Sequence, residues 1–173
     1  MNKHLHLVRE FRESHKFPKG ADRLSDMNIV VRQAWLMDAG KHILLAIKQG
    51  EMADILAKLT GLAYLALNAI AQQNGDVDMQ PVFWRHDGSV MSVMRLITDR
   101  INACSSGNPR DYSALYCASA QLANSFLNAD FDKALCEFHQ HQLDFGITYN
   151  PNIGIQGEID WSHVPDLSEC LYE

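Results

Sequence analysis

The things this 173-residue sequence lacks narrow it first. No run approaches the ~20 uninterrupted apolar residues that cross a bilayer. The N-terminal stretch MNKHLHLVREFRE alternates charged and apolar residues and has no signal-peptide centre, so a cytoplasmic location is the default expectation. Cys104, Cys117, Cys136 and Cys170 form no CxxC pair, and no histidine stands at zinc-finger spacing from a cysteine. A disulfide framework and a structural zinc are thereby disfavoured. Cys104, Cys117 and Cys136 lie among apolar neighbours and read as buried free thiols. Basic residues are scattered and net charge is −6, so the clustered stripe a nucleic-acid surface needs is missing. No phosphate-cradling glycine loop, GxSxG elbow or HExxH occurs.

What remains is an apolar fraction of 47%, enough for one globular domain with a full core. The centre of the chain is residues 30–73, read as two long apolar helices. VVRQAWLMDAGKHILLAIKQ carries Val31, Trp35, Ile43, Leu44 and Ile47 at helical spacing, and ILAKLTGLAYLALNAIAQQ repeats the pattern with Ile55, Leu59, Leu62, Ala66 and Ile70. Gly50 reads as a left-handed cap and Asp54 as an acid near the next helix start. A connection this short makes an αα-hairpin.

Before it, residues 2–15 form an amphipathic helix burying Leu5, Val8 and Phe11. Phe17, Pro18, Lys19 and Gly20 break it, and Ser25 or Asp26 caps the first helix of the hairpin. After Asn74-Gly75, a short helix is expected through residues 79–86, with Pro81 in its first turn. Asp87-Gly88-Ser89 closes it and caps an apolar helix at 90–104, followed by a turn at 105–109 and a helix at 111–127. Gly107 and Asp111 follow Gly50 and Asp54 at one shared offset, and Asp130-Phe131-Asp132 answers Asp76-Val77-Asp78. This suggests a duplication, with repeats over about 26–87 and 88–144, forming a four-helix core in one chain. Residues 145–173 change character, with Pro151, Pro165 and clustered glycines. They read as an irregular arm on the helical domain 1–144, anchored by Trp161, Val164 and Leu167 and covering a groove or a partner subunit.

Three stretches together resemble the MazG-like all-α nucleoside triphosphate pyrophosphohydrolases, a superfamily that includes phosphoribosyl-ATP pyrophosphohydrolase. They are VREFRESHKFP, then Arg32 followed by WLMDAGKHILLAI, then ILAKLTGLAYLALNAIAQQNGDV with Tyr64 after the expected acidic positions. The likeness covers about residues 5–80 and, through the duplication, extends to about 142. It implies an all-α helical bundle, a homodimer, and Mg²⁺-dependent release of diphosphate from a nucleoside triphosphate-like substrate. Such chemistry needs Mg²⁺ held by hard oxygen ligands. The family supplies them as ExxE on one helix and ExxD on its neighbour, because positions i and i+3 share a face. Here those positions fall on Ala39 and His42, and on Lys58 and Gly61.

The chemistry then has two possible outcomes. Either a shifted metal site is rebuilt from Asp38, His42 and Asp54, or these are a solvated acid, a partly buried histidine and a helix-start acid. Lys58 would repel Mg²⁺, yet with Arg32 and Lys41 it could form a metal-free phosphate pocket. Trp84 and Arg85 suit base stacking and phosphate contact; equally, Phe83 or Trp84 is a core anchor beside a solvated arginine. His139-Gln140-His141 is expected at a helix end, where cationic histidines suit the dipole. The expected function is thus a nucleotide pyrophosphohydrolase-family protein with its metal ligands replaced. The alternative is a non-catalytic helical module for ligand binding or protein interaction.

Overall fold

Two residues frame the longest helix. Ser25 Oγ accepts the Asn28 N–H at 3.2 Å, and Gly50, at φ +79°, ends the helix in the left-handed conformation. The computed structural model describes every residue except 19, 21, 86, 146–157 and 173. Among the described residues there are six α-helices: α1 Lys3–Ser14, α2 Asp26–Gln49, α3 Met52–Ala71, α4 Val90–Ala103, α5 Pro109–Ser125 and α6 Phe131–Phe145. There is no β-strand among them beyond one isolated bridge, between Ala129 and Leu171. The all-α expectation holds.

The hub is α3. Every residue from Ile55 to Ile70 except Lys58 is buried, so the helix is apolar all round, as befits the centre of a bundle. Helices α1, α2, α5 and α6 all pack on it, α1 also against α6, and α4 closes against α2 and α5. By length and composition α3 could cross a membrane, with a mean hydropathy of 1.3. Its burial inside the bundle accounts for that composition without a bilayer.

The N-terminal helix buries Leu5, Val8 and Phe11 completely, and Asn2 caps it by accepting the His4 and Leu5 N–H groups. Lys19 of the breaker after it lies outside the described residues. A 3-10 turn at Cys104–Ser106 leads into Gly107, left-handed at φ +70°. A β-carbon at Gly107 would stand 2.3 Å from Ile29 Cδ1 of α2. The position therefore joins a backbone requirement to a contact between helices.

The short helix expected at 79–86 is not there; the described residues 75–85 form a strap without regular structure. Two of its backbone donors go to α5 instead. The Asp78 N–H reaches Ser113 Oγ at 3.0 Å, and the Gln80 N–H reaches Cys117 Sγ at 3.5 Å. Ser113 and Cys117 are one turn apart on α5, and Pro81 has no N–H to give. His86 lies outside the described residues.

The described part of the arm, residues 158–172, is irregular apart from a 3-10 turn at Ser168–Cys170. It covers its own chain. Ile159, Leu167 and Cys170 are buried, while Trp161 and Val164 pack half-buried on the core. The Asp130 N–H donates to the Cys170 carbonyl at 2.8 Å, and the Tyr172 N–H to the Asn128 carbonyl at 3.0 Å. Pro151 and the glycines of 146–157 lie outside the described residues. All four cysteines are free, but Cys170 is buried and Cys136 only half-buried, against the expectation for Cys136. Burial pushes the Cys104 thiol up to about 12.

Candidate functional site

The positions that the family resemblance marks for metal ligands converge where α2, α3 and the arm meet. Ala39 is fully buried and offers no donor. His42 stacks on Trp161, with ring centroids 5.6 Å apart and an interplanar angle of 23°. A β-carbon on Gly61 would come within 2.7 Å of Trp161 Cη2 and Cζ3 and 3.2 Å of Phe138 Cζ. The absence of a side chain at 61 is therefore what seats the indole. Lys58 Nζ donates to Asp54 Oδ1 at 2.5 Å, so this cation and acid, an i,i+4 pair on α3, satisfy each other.

This donor set does not fit Mg²⁺. Two of the four positions carry no donor atom, one carries an imidazole, and one carries a cation. The rebuilt alternative does not assemble either. Asp38 stands beside Lys41 (3.3 Å) and His42 (3.6 Å), but Asp54 is tied to Lys58. Among the described residues, no three His, Cys, Asp or Glu side chains are grouped to hold a metal ion.

Beside Trp161 a cleft of about 500 Å³ opens. Its walls include Asp38 and His42 from α2, His141 and Phe145 from α6, and Asp160 and His163 from the arm. His141 and His163 face each other with ring centroids 5.0 Å apart, and Phe145 meets His163 edge-on at 4.7 Å. Burial, and then the charge of His163, holds the His141 pKa below the usual histidine value.

Comparison with family models, curated proteins and solved structures finds no match.

Other expected site residues are dispersed. Arg32 is 2% exposed and donates from Nε to Asn28 Oδ1 at 2.6 Å and from Nη2 to Gln72 Oε1, at the C-terminal end of α3. Lys58 lies near the other end, about 20 Å away along the helix at 1.5 Å per residue. Lys41 points to Asp38 on the surface. Arg32, Lys41 and Lys58 therefore share no phosphate pocket. Trp84 packs against the core as an anchor, Phe83 stands 88% exposed, and Arg85 is exposed. His139 is not a cationic helix end. Helix α6 continues to Phe145, and His139 is buried with Nδ1 3.0 Å from the Tyr64 hydroxyl. Burial lowers its pKa.

Sequence reasoning picks out Trp161 as an anchor but not its seat. The available signal is Gly61, a lone glycine within an apolar helix, where a packing reason is the usual explanation.

Proposed function

We propose that this chain is a MazG-like helical protein in which ligand binding has replaced Mg²⁺-dependent diphosphate release, making it a non-catalytic relative of the nucleotide pyrophosphohydrolases. The observation that carries this reading is the Trp161 ring lying over Gly61. An aspartate at 61 would collide with the indole, so the arm occupies the place a ligand carboxylate would need. The salt link of Lys58 to Asp54 removes the nearest acid from service. The cleft next to Trp161 then offers aromatic faces, imidazoles and carboxylates to a small polar ligand, a nucleotide on the family resemblance.

The same reading makes the chain a tandem of two helical hairpins, α2–α3 and α4–α5. Support comes from Gly50 and Gly107, both left-handed at the corresponding turns. It also makes the protein a cytoplasmic homodimer. The arm's apolar residues dock on their own chain, so they do not argue for a partner. The support is instead an exposed stripe along α2, where Met27, Val30, Met37 and Leu45 are each at least half in solvent.

The test is diphosphate release from the common nucleoside triphosphates with Mg²⁺ or Mn²⁺. The expected outcome is no turnover above background. Robust turnover abolished by Asp38→Ala would refute the proposal. A variant combining Ala39→Glu, His42→Glu, Lys58→Glu and Gly61→Asp should gain divalent-ion affinity only when Trp161→Ala is added. A still-folded five-fold variant with no gain would mean that the family positions are misassigned.

A further inference from the structure

At the opposite end of α3 from the Lys58–Asp54 pair, we propose a binding site for a small organic oxyanion, a phosphate monoester or carboxylate carried on an apolar body. Arg9 and Arg12 lie at i,i+3 on α1 and share a face. Both line a cleft of about 580 Å³ between α1, Phe17-Pro18 and the chain leaving α3. That volume is in the ordinary range for small-molecule sites, roughly 300–1,000 Å³.

The charge balance singles this cleft out. Arg12 is only 5% exposed, and its guanidinium donates to Asn68 Oδ1 and, at 3.2 Å, to the Pro18 carbonyl. Both acceptors are neutral. Behind it Arg32 is likewise buried on the neutral oxygens of Asn28 and Gln72. Arg9 donates to the Gln73 and Gly75 carbonyls. Among the described residues, no carboxylate forms an ion pair with any of the three arginines. The carbonyl end of α3 offsets part of this charge through its dipole. The remainder is felt: burial pulls the Arg12 pKa down to about 10, and burial followed by the charge of Arg12 pulls Arg32 down to about 9. A buried guanidinium without a counter-charge is costly, and a bidentate oxyanion is the partner its fork geometry fits.

Two acids also line the cleft, and neither neutralises it. Asp76 is paired with the Met1 ammonium at 3.5 Å and accepts the Asn2 and Val77 N–H groups at 3.0 and 2.8 Å. Glu13 is exposed and bonded to neither arginine. The apolar part of the lining is Phe17, Pro18 and Ala71, with the Arg12 guanidinium carbon 5.5 Å from the Phe17 ring centroid. A ligand whose oxyanion meets Arg9 and Arg12 would therefore lay an apolar or aromatic body on Phe17.

The experiment is calorimetric titration of the full chain, at low salt and neutral pH, with inorganic phosphate, phenyl phosphate and benzoate. Phenyl phosphate or benzoate should bind about tenfold more tightly than inorganic phosphate, and the tighter of the two assigns the headgroup. Arg9→Gln, at a half-buried position, should weaken that binding about tenfold while leaving the helical circular dichroism unchanged. Glu13→Gln should tighten it. Trp161→Ala, in the other cleft, should leave it unchanged, so failure here is distinct from failure of the proposed function. No heat from any probe at about 10 mM overturns the site. So does binding that is insensitive to Arg9→Gln or lost in Trp161→Ala.

Discussion

Gly61→Ala tests directly whether the arm is seated on the hairpin. Alanine in a helix interior is worth about 0.5–1 kcal/mol more than glycine, so an unobstructed site would be stabilised. Here the new methyl would stand 2.7 Å from two carbons of Trp161, and such crowding typically costs about 1–3 kcal/mol. The net expectation is a loss of about 0.5–2 kcal/mol in the native background. In a Trp161→Ala background the collision is gone and only Phe138 Cζ, at 3.2 Å, remains close. There the same substitution should be neutral or stabilising by up to ~1 kcal/mol. The coupling in the double-mutant cycle is therefore about 2 kcal/mol, the size expected of residues in direct contact. Urea unfolding followed by far-ultraviolet circular dichroism reads it, provided the slope with denaturant is unchanged. An equal effect of Gly61→Ala in both backgrounds would show that the indole does not rest on this helix.

The same structure sets other outcomes. Burial holds the pKa of His139 and His141 below the ordinary ~6.5, so in acid the unfolded chain binds more protons than the folded one. Their contribution is complete above that value and is lost as pH falls through it towards the folded pKa. The urea midpoint should drop between pH 7.5 and 5.5, and His139→Gln should flatten part of the drop; an unchanged midpoint would count against buried neutral imidazoles. For the homodimer, light scattering at micromolar concentration should give twice the 19.5 kDa chain mass, and Met37→Lys should reduce it. A mass of 19.5 kDa for the unaltered chain would remove that part of the proposal.

Local chemistry makes much of the bundle readable. Ser25 and Ser89 cap the helices they precede, Gly50 and Gly107 end theirs left-handed, and Leu5, Val8 and Phe11 face inward as their spacing requires. The strap after α3 reads wrongly as a helix because its apolar residues and early proline suit a first helical turn. The competing acceptors, Ser113 and Cys117, lie far along the chain and become neighbours only on folding. Arg32 fails as a phosphate ligand for a similar reason. Its partner Gln72 sits at the far end of α3, a relationship that helical spacing within α2 does not contain. The cleft at Trp161 needs three separated segments, α2, α6 and the arm, so no single stretch could announce it.

The two turn glycines look interchangeable by conformation, yet they differ in what they would tolerate. Around Gly50, at φ +79°, a β-carbon would meet nothing within 4 Å, so the constraint there is purely torsional and an asparagine can meet it. At Gly107 the same torsion comes with Ile29 Cδ1 2.3 Å from where any β-carbon would go. A substitution at 107 therefore also requires the Ile29 side chain to shift or to shrink. Asparagine should be tolerated better at 50 than at 107 when the two turns are mutated. Tolerance at 107 should reappear when Ile29 is first reduced to alanine. The second turn is thus held by its neighbour as well as by its own backbone, so a change at either position alters what the other tolerates.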